Sequence, residues 1–282
     1  NYKKFSLNKK LRDKINISNG KSDSFENLVR ELIPDALPRV VLEDYKSILD
    51  SVNNSNWPKN PKVIFTSNSY DGDDFFKFWT ADKVETKKSL YIIGQHGLFD
   101  SSEKLLFNSN EYQSCDKYLR WGKKKYEKDV ELFNFKLINR KFINKNNNNI
   151  FIISRTTGHE VETFSRYDEY DFYNQCLINL LSKIEGKKDD KIILRLKRTF
   201  KWTNPKEFKE IKKLFPKILI DDGVNDIFSL LKKTKLAVYL YYSTGVLETL
   251  SLDIPTIFYF PRELTYIEEE EQKFLNVLHE CK

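Results

Sequence analysis

The sequence predicts an α/β protein with two parallel-sheet halves, the second more complete than the first. Two observations lead there. Short runs rich in Val, Ile, Leu and aromatic residues recur along the chain, each about the length of a buried strand. Segments with helical apolar spacing fall between them, so strands alternate with helices, and that alternation implies parallel sheets with ligands at the carboxyl ends of the strands.

Taken in order, residues 1–35 read as polar and helical, and Leu37 to Leu49 as a short amphipathic helix. Lys62–Thr66 reads as a strand entering a polar loop, Ser67 to Asp74, before a helix over Phe75–Asp82. Ser89–Gly94 is a second strand, ending in Gln95-His96-Gly97, and Lys117–Trp121 is a third, stopped by Gly122. With only these three convincing strands, the first half reads as an incomplete domain. Gly122 to Asn149 is lysine-rich and ends in an asparagine run, which reads as a linker or domain crossing. The second series has strands at Ile150–Ser154, Lys191–Leu196, Ile218–Ile220, Leu236–Tyr241 and Thr256–Phe260. Its helices are expected at Tyr170–Ile184, Pro205–Leu214, Ile227–Lys233 and Thr265–Leu278. The expected domains are therefore residues 1–135 and 136–282.

Composition bounds the function. At 282 residues, 40% hydrophobic and 14% aromatic, the chain can fill a real core. No apolar run approaches the ~20 residues that span a bilayer, and no signal-peptide pattern opens the sequence. Three scattered cysteines have neither metal-ligand spacing nor a disulfide framework, which fits a reducing cytoplasm. A formal net charge of +7 suits anionic partners such as nucleotide donors, acidic glycans, an anionic membrane face or nucleic acid. The absence of Met, even at position 1, reads as a fragment of a longer protein or as residues lost from it.

The most informative stretch is Leu236 to Phe260, a strand that breaks at Ser243-Thr244-Gly245, a short helix, and a second strand after Asp253-Ile254-Pro255. Small hydroxyl-bearing residues at a strand-to-helix turn leave free N–H groups at the positive end of a helix dipole, a ready place for phosphate. Glu248, one helical turn on, is placed to accept from ribose hydroxyls. Helix capping is the competing explanation, since Ser or Thr at an N-cap and Glu in the first turns are routine. The Gly-Lys-Ser/Thr element of a Walker loop is missing, which disfavours ATP hydrolysis. Arg195 and Lys197, two apart at a strand end, suit a diphosphate or a sugar carboxylate, or else a solvated sheet edge. Arg155, beside Thr156-Thr157-Gly158, is a weaker candidate of the same kind.

His96, at the carboxyl end of a strand between Gln95 and Gly97, is placed to act as a general base or to donate to a phosphate; the alternative is a histidine that only bonds the turn. His159 reads as incidental. Asp71, Asp73 and Asp74 follow no regular metal-binding pattern and read as a turn with a helix cap, Asp74 remaining a weak candidate. Phe75, Phe76, Phe78 and Trp79 read as core.

These segments, in this order, resemble the transferases of bacterial surface-carbohydrate clusters first catalogued in spirochaetes. They are more distantly similar to capsule-synthesis transferases of the Kdo and CDP-polyol kinds. The likeness runs over about residues 30–280, and its most specific parts are Gln95-His96-Gly97 and Ser243-Thr244-Gly245…Glu248…Ile254-Pro255-Thr256. The chain departs from the pattern at Leu98-Phe99-Asp100, where relatives carry further glycine and aromatic residues; relatives are also longer.

The resemblance implies a GT-B architecture, two Rossmann-like domains facing a cleft, with the nucleotide-sugar held by the C-terminal one. It implies Ser243, Thr244 and Gly245 on the donor phosphate, Glu248 on the ribose, Arg195 on leaving-group charge, and His96 facing the acceptor. The expectation is a metal-independent glycosyltransferase without cofactors. It would move a sugar from a CMP-Kdo-like or NDP-sugar donor to a polysaccharide or lipid-linked glycan, with peripheral association at the inner membrane and no nucleic-acid partner. Rival readings are a CDP-polyol phosphotransferase, a UDP-sugar epimerase of related fold, and a basic nucleic-acid-binding protein. The last lacks any stacking-aromatic or recognition-helix signature.

Overall fold

In a computed structural model, the described residues are 3–15, 17, 25–97, 109–134, 148–154, 167–185, 191–196, 205–241, 243–259, 273 and 276–277. They form two units, one of Asn1–His96 with Phe107–Phe133 and one of Gly97–Leu106 with Asn134–Lys282.

The first unit opens with helices α1 (Lys9–Arg12), α2 (Phe25–Ala36) and, after a 3-10 turn at Arg39–Val41, α3 (Tyr45–Asn53). The buried Arg12 guanidinium ties them together. It pairs with both Glu43 oxygens (2.7 and 2.8 Å) and donates to the Pro34 and Asp35 carbonyls at the end of α2. Strand β1 (Val63–Thr66) is followed by α4 (Ser69–Gly72) and α5 (Asp74–Lys87), then β2 (Leu90–Gly94), α6 (Asn110–Ser114), β3 (Lys117–Trp121) and β4 (Asp129–Leu132). The sheet runs β1-β2-β3-β4, all parallel.

Three sequence expectations change here. The polar loop after β1 contains the single turn α4, because Thr66 Oγ1 accepts from Asn68 N and Ser69 N and turns the chain. The helix expected to end at Asp82 continues to Lys87, where Lys88 closes it in the left-handed conformation. The stretch expected as a linker holds a fourth strand, β4. Its signal is hidden because its first residue is an aspartate that is buried only by virtue of a partner: Asp129 Oδ2 takes Arg120 Nε at 2.6 Å and the Lys125 and Tyr126 amides at 2.9 and 3.0 Å. Those bonds hold its carboxyl below the usual range against the opposing pull of burial. Phe76 and Trp79 are buried, with Trp57 packed edge-on against Phe75 and Trp79, so the aromatic group is core.

The second unit contains β5 (Asn149–Ile153), α7 (Tyr167–Ile184), β6 (Lys191–Arg195), α8 (Pro205–Leu214), β7 (Leu219–Asp221), α9 (Ile227–Leu231), β8 (Thr234–Tyr239), α10 (Thr244–Ser251) and β9 (Thr256–Phe258). Its parallel sheet has the order β7-β6-β5-β8-β9. The chain winds outward from β5 in one direction, then returns to place β8 on the other side. Both faces are therefore covered. Ile152, Leu194 and Val238 pack with α7 and α8, while Phe151, Ala237 and Tyr239 pack with α9 and α10. Such an order has its topological switch point between β5 and β8, where α/β folds bind ligands outside the carboxyl ends. The expected helix over 265–278 lies almost wholly outside the described residues.

Candidate functional site

Strand β8 ends at the switch point, where Leu240 N still bonds Ile153 O at 3.0 Å. The chain then leaves the sheet through Tyr241 and turns at Ser243, whose extended backbone (φ −137°, ψ 159°) is that of an N-cap. Helix α10 follows for eight residues, with Val246 and Thr249 turned inward and a stop at Asp253, a left-handed residue (φ 56°). The Ser243 side chain makes no capping hydrogen bond, although its carbonyl accepts from Val246 N at 3.0 Å. The routine task of an N-cap serine, satisfying the first-turn amides, is thus not performed by the Ser243 hydroxyl.

The first turn of α10 sits tightly on the sheet. A Cβ added at Gly245 would lie 2.9 Å from Tyr239 Oη and 3.1 Å from Cε1 of the same ring. Tyr239 is 1% exposed, and its hydroxyl is buried without a hydrogen-bond partner. Burial pushes its pKa up, and the nearby Glu248 carboxylate adds to the shift. Glu248 itself is half-buried on α10. Thr249, fully buried, donates to Val246 O at 3.0 Å and accepts from Thr256 Oγ1 at 3.0 Å, which fixes α10 to the start of β9. Gly97 reaches the same corner: a Cβ on it would lie 3.1 Å from Thr244 Oγ1. Gly97 clusters with the second unit, so this approach lies inside that unit.

The other sequence-predicted residues are placed as follows. His96, the residue before Gly97, is exposed. Gln95 is buried; its Oε1 accepts from Trp121 N at 2.8 Å, stapling the end of β2 to β3. Arg195 is on the carboxyl end of β6, but its Nη1 is engaged by Asp221 Oδ2 and by Asn225 O, with Asn225 Nδ2 on the second Asp221 oxygen. Its charge is therefore compensated by a nearly buried carboxylate. Asp74 is the first residue of α5, on the surface beside Lys77 at 3.2 Å, while Asp73 is the true cap, accepting from Phe76 N. Lys197, Arg155 and His159 lie outside the described residues. Of the candidates, the structure thus brings together Ser243, Thr244, Gly245, Glu248 and Gly97.

Tyr239 and Thr249 were missed by sequence reasoning. Each reads as one more core residue in an apolar run, and only the geometry gives their polar atoms a place. Among the described residues, no three His, Cys, Asp or Glu come together as a metal-binding group. Cys115 is buried, which pushes its thiol up to about 11 and makes it a poor nucleophile. No helix of the described residues is long and apolar enough to cross a membrane.

The chain is thus a protein of the α/β class with two parallel-sheet units, the second opening a helix N-terminus at its sheet's switch point. The LIC12162 family transferase profile matches residues 1–282, and the chain belongs to that family of transferases. A similar solved structure is a crystal structure of a protein provisionally named a UDP-N-acetylglucosamine 2-epimerase from Listeria monocytogenes. It is 12% identical with a TM-score of 0.44, over 80% of this chain and 67% of that one. No curated protein matches the sequence.

Proposed function

We propose that this transferase is a glycosyltransferase that takes a sugar from a nucleotide-activated donor and adds it to a growing surface glycan. The observation that supports this most is the corner at α10. An N-cap serine that does not cap, a threonine approached by Gly97, and a glycine without room for a side chain lie together there. In this reading the first-turn amides of α10 and the Ser243 and Thr244 hydroxyls hold the donor phosphate, and Glu248 accepts from the ribose. The helix dipole stabilises charge on the departing phosphate, the part a metal ion plays in other transferases.

His96 takes the proton from the acceptor hydroxyl. That oxygen attacks the anomeric carbon, the bond from carbon to phosphate oxygen breaks, and the electron pair leaves with the nucleotide. Arg195, held by Asp221, acts through the shape of the sheet end and not as a free cation. In this reading the unit of β1–β4 binds the acceptor and the unit of β5–β9 the donor.

Thermal-shift measurements with CMP, CDP, UDP and GDP test the reading. A nucleotide at 100 times its dissociation constant adds about 2.7 kcal/mol of stability, or about 5–10 °C in Tm for a protein of this size. One nucleotide should do so selectively, and transfer from the matching nucleotide-sugar to a glycan acceptor should follow. No shift with any of the four, or donor turnover without an acceptor, would defeat it.

A further inference from the structure

Tyr239, the last residue of β8, carries a hydroxyl that its packing does not need. The side chain is 1% exposed, and Oη has no hydrogen-bond partner. A buried polar group in that state opposes folding, whereas a phenylalanine ring would fill the same space without the cost. Such orphans are rare in native interiors, and a task outside packing is one reason to keep them.

The hydroxyl is aimed at one face of α10. It lies against the helix at Gly245, where a Cβ would stand 2.9 Å from it. Positions three and four residues further along an α-helix share a face, so Glu248 and Thr249 flank the same spot. Thr249 is already committed: its hydroxyl donates to Val246 O and accepts from Thr256 Oγ1, both at 3.0 Å. Glu248 is the remaining acceptor on that face. A helical side chain leans back over the turn that precedes it. This carries the Glu248 carboxylate toward the surface at Gly245, which puts no side chain in the way. The electrostatics agree, since burial first and the Glu248 charge after it raise the pKa of Tyr239.

We propose that Tyr239 is a positioning residue for ribose recognition: with a nucleotide bound, its Oη donates to one oxygen of the Glu248 carboxylate and leaves the other to accept from the ribose hydroxyls. The inference rests on the reading of Glu248 as the ribose acceptor, and it adds the group that holds that carboxylate. Tyr239 itself does not touch the nucleotide. Its raised pKa keeps the proton in place at neutral pH, so the bond is a donor's bond to an anion. A carboxylate held from beneath loses less rotamer freedom when the ribose arrives than one turning on an unrestrained chain.

Calorimetric titration of the full chain tests this, with CMP, CDP, UDP and GDP as probes, each beside its 2′,3′-dideoxy analogue. The parent should bind the ribonucleotide about tenfold more tightly than the analogue, through charge-assisted hydrogen bonds from the ribose hydroxyls. Tyr239→Phe should shrink that ratio to about threefold or less and leave affinity for the analogue within about twofold. Glu248→Ala should abolish the ratio, and adding Tyr239→Phe to it should change nothing more, because both act on one carboxylate. Thermal melts should place Tyr239→Phe at or above the parent Tm, which separates the loss from a folding defect. A parent that binds none of the four nucleotides removes the donor reading and this inference together. A parent that binds and prefers ribose, with the ratio unmoved by Tyr239→Phe, overturns the inference alone. So does a variant that weakens ribonucleotide and analogue alike, which is the signature of packing.

Discussion

Replacing Gly245 by Ala probes the α10 corner through stability and binding at once. The added methyl carbon would stand 2.9 Å from Tyr239 Oη and 3.1 Å from Cε1, closer than side chains pack. Tyr239 is fixed between sheet and helix and has no exposed side to retreat toward. Overpacking of this kind costs about 1–3 kcal/mol. Against it stands the helix preference of Ala over Gly, about 1 kcal/mol. The net expectation is a loss of about 0–2 kcal/mol, with the first turn lifted by a few tenths of an ångström and nucleotide affinity reduced about tenfold, or about 1.4 kcal/mol.

Tyr239→Phe removes the closest atom and a buried hydroxyl that has no partner. Alone it should be neutral or stabilising by about 1 kcal/mol, since an unsatisfied buried polar group opposes folding. Combined with Gly245→Ala it should recover about 1–2 kcal/mol relative to the sum of the single changes. Urea denaturation of the four proteins, with calorimetric nucleotide titration, reads out both effects. If Gly245→Ala stabilises equally with Tyr or Phe at 239, helix propensity alone governs the site and the tight approach is refuted.

Asp129→Ala should destabilise the first unit by about 3–5 kcal/mol in urea, because it strands the buried Arg120 charge. Glu43 gives a pH dependence of known sign. Its hydrogen bond from Arg12 holds its pKa at about 2, below the 4.5 of an unperturbed glutamate. Its contribution is therefore complete above 4.5 and is lost as pH falls from there through about 2. Thermal melts across that window should show this for the parent and a flatter response for Glu43→Gln. On the proposed chemistry, His96→Ala should abolish transfer while leaving nucleotide affinity unchanged, a split that activity assays and calorimetry resolve.

Much of the second unit was legible in the sequence because its strands are buried on both faces. A continuous run such as Lys191-Ile-Ile-Leu-Arg-Leu196 announces itself without knowledge of its neighbours, and Pro205 and Leu214 bound α8 as expected. The first unit was harder to read wherever burial depended on a distant partner. Asp129 looks like a linker residue until Arg120 is placed beside it. The second unit has one such case: Arg195 looks like a free cation until Asp221 appears on the neighbouring strand. The candidate site followed the same division. Local chemistry marked Ser243, Thr244 and Gly245, whereas the closeness of Gly97 to Thr244 links residues far apart in the chain, and no local pattern encodes it.

The central claim is that the amino end of α10 receives the phosphate of an activated sugar. A crystal structure of the protein with its selected nucleoside diphosphate tests this most directly. The account predicts phosphate oxygens about 3 Å from the Thr244 and Gly245 amides, with the ribose turned toward Glu248. A nucleotide seated elsewhere, with Ser243 closed over an empty helix end, would contradict it.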